Sequence, residues 1–186
     1  MDSPRFLTGQ FLLAMPGIGD PRFEHSVIAM CAHDEKGALG IGIGHRVEGV
    51  GLHLLLNQFE IATDNVPDAP VHAGGPVEPQ RGFVIHSRDW SGSESIDVAG
   101  RWALTATVDA LRAIASGSGP TKWIVALGYA GWGEGQLDEE MRRHGWFVTP
   151  GGESLLWETR PEARWREGFS SAGIDTRLLA ASAGQA

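Results

Sequence analysis

Cys31 and His33, two positions apart, are as close as the chain comes to a nucleophile with a base beside it. A thiolate activated by an imidazole is competent for covalent catalysis. In a strand, side chains at i and i+2 share a face but lean apart, and cysteine is among the residues most often buried. Cys31 is therefore expected to be a buried structural thiol, with His33 bonding locally at a turn edge. A second set is Gly74-Gly75-Pro76, followed by Arg81 and His86. Paired glycines can turn backbone N–H groups toward an anion, and a guanidinium offers a fork to a carboxylate or phosphate. The competing reading has the glycines turning the chain while Arg81 pairs with an acid such as Glu78 or Asp20. Asp20 and Arg22 either line a cleft or belong to a turn at Pro21, with Phe23 entering the core.

The third set is the densest. Between Val125 and Glu140, Gly128, Gly131, Gly133 and Gly135 interleave with Tyr129 and Trp132 before an acidic helix start. Glycine permits positive φ or the close approach of another group. The segment reads as a built surface feature in which Tyr129 and Trp132 flank a groove for a peptide or planar ligand, or else pack over the following helix. Gly74, Gly75, Pro76, Arg81, His86, Tyr129 and Trp132 together form the candidate binding groove. An enzymatic alternative would place Arg81, His86 or His33 around a small anionic substrate. The chain lacks a Gly-x-Ser-x-Gly elbow, His-Glu-x-x-His, paired Cys-x-x-Cys and a phosphate-binding Gly-x-x-x-x-Gly-Lys-Ser/Thr loop. No catalytic set, cofactor or metal site is expected. Gly40-Ile-Gly-Ile-Gly44 lacks the spacing of a dinucleotide fingerprint and reads as a strand closely approached by another backbone.

The elements that must carry these residues follow from periodicity. Phe11–Met15 is an apolar run closed by Pro16-Gly17, a first strand. Val27–His33 and Ala38–Gly44 flank a polar turn as a hairpin. Leu52, Leu55, Leu56 and Phe59 make a helical stripe. Val71–Ala73, Gly82–His86, Ser95–Val98 and Trp102–Thr105 read as strands. Thr107 is placed to cap a helix that Gly117 ends. Trp123–Leu127 reads as a central strand, Gln136–His144 as a helix, and Trp146–Thr149 and Ser154–Trp157 as strands. Pro161 opens a last helix with Trp165 and Phe169 paired at i, i+4. The tail from 180 to 186 is expected to be disordered. Short strands mixed irregularly with helices indicate an α+β class, and no composition break divides 1–186 into more than one domain.

The 186 residues carry a formal charge of −8, which disfavours direct binding to nucleic acid or to an anionic membrane. The basic pairs Arg142-Arg143 and Arg164/Arg166 read as solvated helix faces. A single cysteine excludes an intrachain disulfide and fits a reducing compartment. Without a secretory signal or a membrane-spanning run, the expectation is a soluble cytoplasmic protein whose partner is another protein or a small anionic ligand.

Gly9-Gln-Phe-Leu-Leu-Ala-Met-Pro-Gly17, Asp20-Pro-Arg-Phe23, the Ser26–His33 strand, Gly37-Ala-Leu-Gly40 and Ala73-Gly-Gly-Pro76 occur in that order. Arg81-Gly-Phe-Val-Ile-His86, Ala126-Leu-Gly-Tyr-Ala-Gly-Trp132, Gly135-Gln-Leu137 and Arg164-Trp-Arg166 follow. In this pattern the chain resembles the YqgE/AlgH family of small bacterial proteins, from about Phe6 to Gly173. The resemblance implies one compact domain with strands curled into a barrel-like, mostly antiparallel sheet and helices packed around it. Some members are labelled transcriptional regulators, so direct DNA binding stands as an alternative function, though the family has no recognised helix-turn-helix. It carries no catalytic residues to this chain. One departure is clear. Where the family runs into Asn-(Lys/Arg)-Pro, this chain has Gly44-His45-Arg46, and Gly42 interrupts the preceding strand. If the family's groups form a site, that site is expected to be altered or lost here, and His45 would be a new feature.

Overall fold

The computed structural model of the chain describes residues 6–16, 23–143 and 145–183. β1 (Phe11–Ala14), β2 (Val27–Asp34) and β3 (Gly37–Gly42) form an antiparallel meander, and β10 (Trp146–Thr149) pairs with the other edge of β1. β6 (Val77–His86), β8 (Trp102–Thr105) and β7 (Ile96–Val98) form a second antiparallel run. β9 (Trp123–Trp132) joins the two, giving one sheet that is curled but not closed. Beside it, β5 (Pro70–Ala73) runs parallel to β9, and β4 (Arg46–Gly51) pairs with β5. The α+β expectation and the curled, mostly antiparallel sheet both hold.

β9 organises the layout. One of its edges follows β6. The other pairs first with β5, through Val125–Leu127, and then with β3, through Ala130–Trp132. Gly128, at φ +77, sits where the partner changes. There the ends of β3 and β5 meet: Gly42 donates its N–H to the Gly74 carbonyl at 2.7 Å, and Gly74 donates its own to the Leu127 carbonyl at 2.8 Å. A Cβ on Gly74 would overlap the Gly128 carbonyl oxygen, and one on Gly128 would overlap the Gly75 oxygen.

Over most of the sheet both faces are covered, which is why strands such as β1 and β2 read as apolar runs. One face packs Phe11, Val27, Ile41, Phe83, Trp102 and Ile124 against α4 (Ser154–Trp157) and α5 (Pro161–Ser171). The opposite face holds two further cores. α1 (Leu52–Gln58) and α2 (Val108–Ser116) cover Val71, Val84 and Val125, while α3 (Gln136–Arg142) covers Leu12, Ile28 and Met30. Alternation on β2 holds as far as the bulge at Met30–Ala32: Val27, Ala29 and Cys31 enter one core, Ile28 and Met30 another.

Several elements differ from expectation. The central strand does not stop at Leu127; β9 runs on through Tyr129 to Trp132, so the glycine–aromatic segment is sheet. Ser154–Trp157 is helical, because Leu155 and Leu156 both face the same core and adjacent strand residues cannot. β6 starts at Val77, its first half exposed and polar. β4 was not anticipated. α6 (Thr176–Ala183) enters the stretch expected to be disordered from 180, while 184–186 lie outside the described residues, as do Asp20, Pro21 and Arg22. Thr107 stands at the N-cap, but its hydroxyl bonds Asp109 instead of the backbone, and Gly117 closes the helix at φ +80. Among the described residues no helix is long and apolar enough to cross a membrane.

The crossing makes a sharp stability prediction. Gly74→Ala is expected to cost more than about 3 kcal/mol or to prevent folding, since the obstacle is backbone. Gly117→Ala, which meets no atom within 4 Å, is expected to cost about 1 kcal/mol for its positive φ alone. Urea unfolding of the two variants separates close packing from backbone conformation, and equal losses would refute the crossing.

Candidate functional site

The structure distributes the expected groove residues over separate places. Gly74 has its N–H committed to Leu127, and Gly75 lies against the Tyr129–Ala130 peptide, so this pair supports the crossing of strands. Pro76 beside them is exposed. Arg81 is exposed, 3.5 Å from Glu78, with its guanidinium over the Phe83 ring at 5.3 Å. Tyr129 meets the same ring edge-on at 5.6 Å, so Arg81 and Tyr129 are brought together through Phe83. Trp132, three residues on, belongs to the opposite face, edge-on to Trp146 at 6.3 Å. Tyr129 and Trp132 therefore do not flank one groove.

His86 has no solvent exposure. Its Nδ1–H donates to the Ser87 carbonyl at 2.9 Å, and its Nε2 accepts the Thr105 hydroxyl at 2.7 Å. Burial pushes its pKa down. Cys31 is buried and desolvation pushes its thiol up to about 12, while the His33 Nδ1 accepts the Leu7 N–H at 3.0 Å. These two side chains do not form a catalytic pair. Among the described residues no group of three or more His, Cys, Asp or Glu side chains is placed to hold a metal.

A different site is built where α4 and α5 close over the starting ends of the parallel pair β5 and β9. A cleft of about 460 Å³ opens there, and Arg164 and His72 belong to its lining. On α5 the buried positions Pro161, Arg164, Gly168 and Phe169 form a helical stripe that faces the sheet. This places Arg164 inside, 4% exposed. Its Nε donates to the Leu155 carbonyl, Nη1 to the Ile43 carbonyl and Nη2 to the Leu156 carbonyl, each at 2.8 Å. Nη1 also donates to the His72 Nε2 at 2.7 Å. None of these partners is a carboxylate. The four bonds use four of the five guanidinium N–H groups.

His72 lies on the face of β5 turned toward α5, and its Nδ1–H donates to the Val125 carbonyl at 3.0 Å, which leaves Nε2 as the acceptor for Arg164. Desolvation, and then the neighbouring guanidinium, push its pKa down to about 4. Burial draws Arg164 down to about 10, still fully charged at neutral pH. The cleft thus has a buried cation and a neutral imidazole in its wall. Trp123 and Trp157 are half-buried lining residues, and Lys122 and Glu158 are exposed ones.

Sequence reasoning missed this site by treating Arg164 as part of a solvated face. The signal was present. Pro161, Arg164, Trp165, Gly168 and Phe169 recur at helical spacing, with an arginine in the middle of an otherwise apolar stripe. Nothing in the sequence pointed to His72 or Lys122, which come together only through the parallel pairing of β5 and β9.

The AlgH-like family model matches residues 11–177. A UPF0301 protein of Rhizorhabdus wittichii is 60% identical over 186 residues, covering 100% of both chains. A UPF0301 protein of Caulobacter vibrioides is 45% identical, covering 100% of this chain and 96% of its own. The solution structure of the AlgH protein from Pseudomonas aeruginosa matches with a TM-score of 0.79 at 35% identity, over 97% of this chain and 96% of that one. A crystal structure from Corynebacterium diphtheriae, 20% identical, shares the fold with a TM-score of 0.75 over 96% of this chain and 94% of its own.

The neutral His72 makes stability depend on pH. Unfolded, it takes up a proton near pH 6.5; folded, only near 4. The unfolded state therefore binds more protons between these values, and stability falls as pH is lowered through them, by up to roughly 3 kcal/mol. His86, shifted the same way by burial, adds to the loss. Urea midpoints measured from pH 7.5 to 4 should show a clearly shallower decline in His72→Gln than in the parent. An unchanged slope would show that His72 is not the source.

Proposed function

The chain belongs to the AlgH-like family, and from that premise we propose that it is a non-catalytic binding module that takes a small anionic ligand into the cleft beside Arg164. The observation that carries this reading is the guanidinium itself: 4% exposed and bonded to carbonyls and an imidazole but to no carboxylate, the exposed Glu162 acting on it only through space. A buried charge with no bonded counter-charge is costly, and a bound anion would offset it directly. The volume of about 460 Å³ suits a small molecule.

The same groups argue against catalysis. His72 is engaged at both ring nitrogens and stays neutral near pH 7. The Thr121 hydroxyl at the rim is bonded to Asp89. Among the described residues lining the cleft there is no activated nucleophile. A net charge of −8 also sets the protein against duplex DNA, so the regulatory label of some relatives is better served by ligand sensing than by direct contact with phosphates.

Native mass spectrometry on protein gently isolated from its host tests the reading. The expected result is an adduct of a small acid that Lys122→Glu loses and Arg81→Ala keeps. Loss in Arg81→Ala instead would move the site to the Arg81–Phe83–Tyr129 cluster. A bare chain with a co-purifying protein would make it an adaptor and overturn the proposal.

A further inference from the structure

Resting on the cleft reading above, we infer that the ligand is a monocarboxylic acid with a flat aromatic body, its carboxylate at Arg164 and Lys122 and its ring against Trp123 and Trp157. The charge follows from the donors. Arg164 has one N–H beyond the four it has committed, so it offers a single bond and no fork. Lys122 adds one ammonium, while Glu158 brings a negative charge to the same lining. A phosphate monoester carries about −1.5 to −2 charges and three acceptor oxygens, and would leave oxygens unmatched beside Glu158. One carboxylate, accepting from Arg164 and from Lys122, matches both the donors and the charge.

The body of the ligand follows from the walls. Pro70, Leu156 and Pro161 join the two tryptophans in the lining, so most of the contact surface is apolar and partly aromatic. Indole faces hold a planar ring by offset or edge contacts worth about 0.5–1.5 kcal/mol beyond buried area. An aliphatic acid of the same length would forgo that part, and acetate would reach Arg164 without touching either indole.

The test is titration of the full chain, with indole N–H resonances of its seven tryptophans read by NMR, using phenylacetate, phenylacetamide, acetate and inorganic phosphate. Phenylacetate is expected to shift the Trp123 and Trp157 signals saturably, and at least about tenfold more tightly than acetate, phosphate or the neutral amide. Lys122→Ala, an exposed position that leaves the core intact, is expected to weaken phenylacetate about 5-fold. Glu158→Gln should tighten it, and Arg81→Ala should leave it unchanged. Equal binding of the amide would overturn the inferred carboxylate. Phosphate or acetate binding as tightly as phenylacetate would overturn the aromatic acid while leaving an anion cleft in place. If no probe moves the two indoles, both the inference and the cleft reading fall.

Discussion

Close backbone contact at the middle of β9 is the constraint on which the rest of the fold depends. β9 exchanges β5 for β3 along one edge within a few residues, and both leaving and arriving strands occupy nearly the same place. Gly42, Gly74 and Gly128 make that possible, because each stands where a Cβ would run into main-chain atoms of another segment. The hydrogen bonds from Gly42 to Gly74 and from Gly74 to Leu127 keep the polar groups of the junction paired inside the protein. Without the exchange, the meander of β1, β2 and β3 would have no strand in common with β6, β7 and β8. The parallel start of β5 and β9, which builds the cleft, is the other product of the same junction.

The second constraint is the end of α4. A helix of four residues cannot satisfy its last carbonyls internally, and those of Leu155 and Leu156 point into the protein. Arg164 answers both, and reaches across to Ile43 beyond the end of β3. Arg101 does similar work at the start of this corner, donating to the carbonyls of Gly9 and Gly151 and pairing with Glu153. Such clamps solve a backbone problem with a charge. At Arg101 the charge bonds a carboxylate; at Arg164 it bonds none. The same side chain is therefore both structural and the feature that makes the cleft attractive to an anion.

Most elements were legible because they bury one stripe or one run. α1 showed Leu52, Leu55 and Leu56 at helical spacing, and β2 alternated between two cores. The failures share a cause: each concerned residues whose partners are distant in sequence. Gly128–Trp132 read as a surface feature beyond a strand ending at Leu127, because glycines weaken strand propensity, yet here they are what another backbone needs for close approach. The exposed half of β6, Glu78 to Arg81, carries no apolar pattern to read. Leu155-Leu156 gave a short apolar run that periodicity cannot assign to strand or helix. The site failed for the same reason. Its residues come from β5, β9, α4 and α5, and only Arg164 left a trace in its own segment.

The Gly44-His45-Arg46 segment connects these constraints. A proline would fix φ at the exit of β3 through its ring. Here contacts fix the exit. His45 accepts the Ala73 N–H on its carbonyl at 2.8 Å and places its Nε2 2.8 Å from the Glu24 carbonyl. Arg46 forms an ion pair with Glu162 on α5, two residues before Arg164. In β4 it stands opposite His72 in the sheet register. The pair is exposed and adds little to stability by itself. Its consequence is electrostatic. Glu162 is the nearest acid in sequence to Arg164; it favours the charged guanidinium, while Arg46 opposes it. The buried guanidinium thus has no bonded carboxylate, and the one acid that acts on it, Glu162, does so from an exposed ion pair with Arg46.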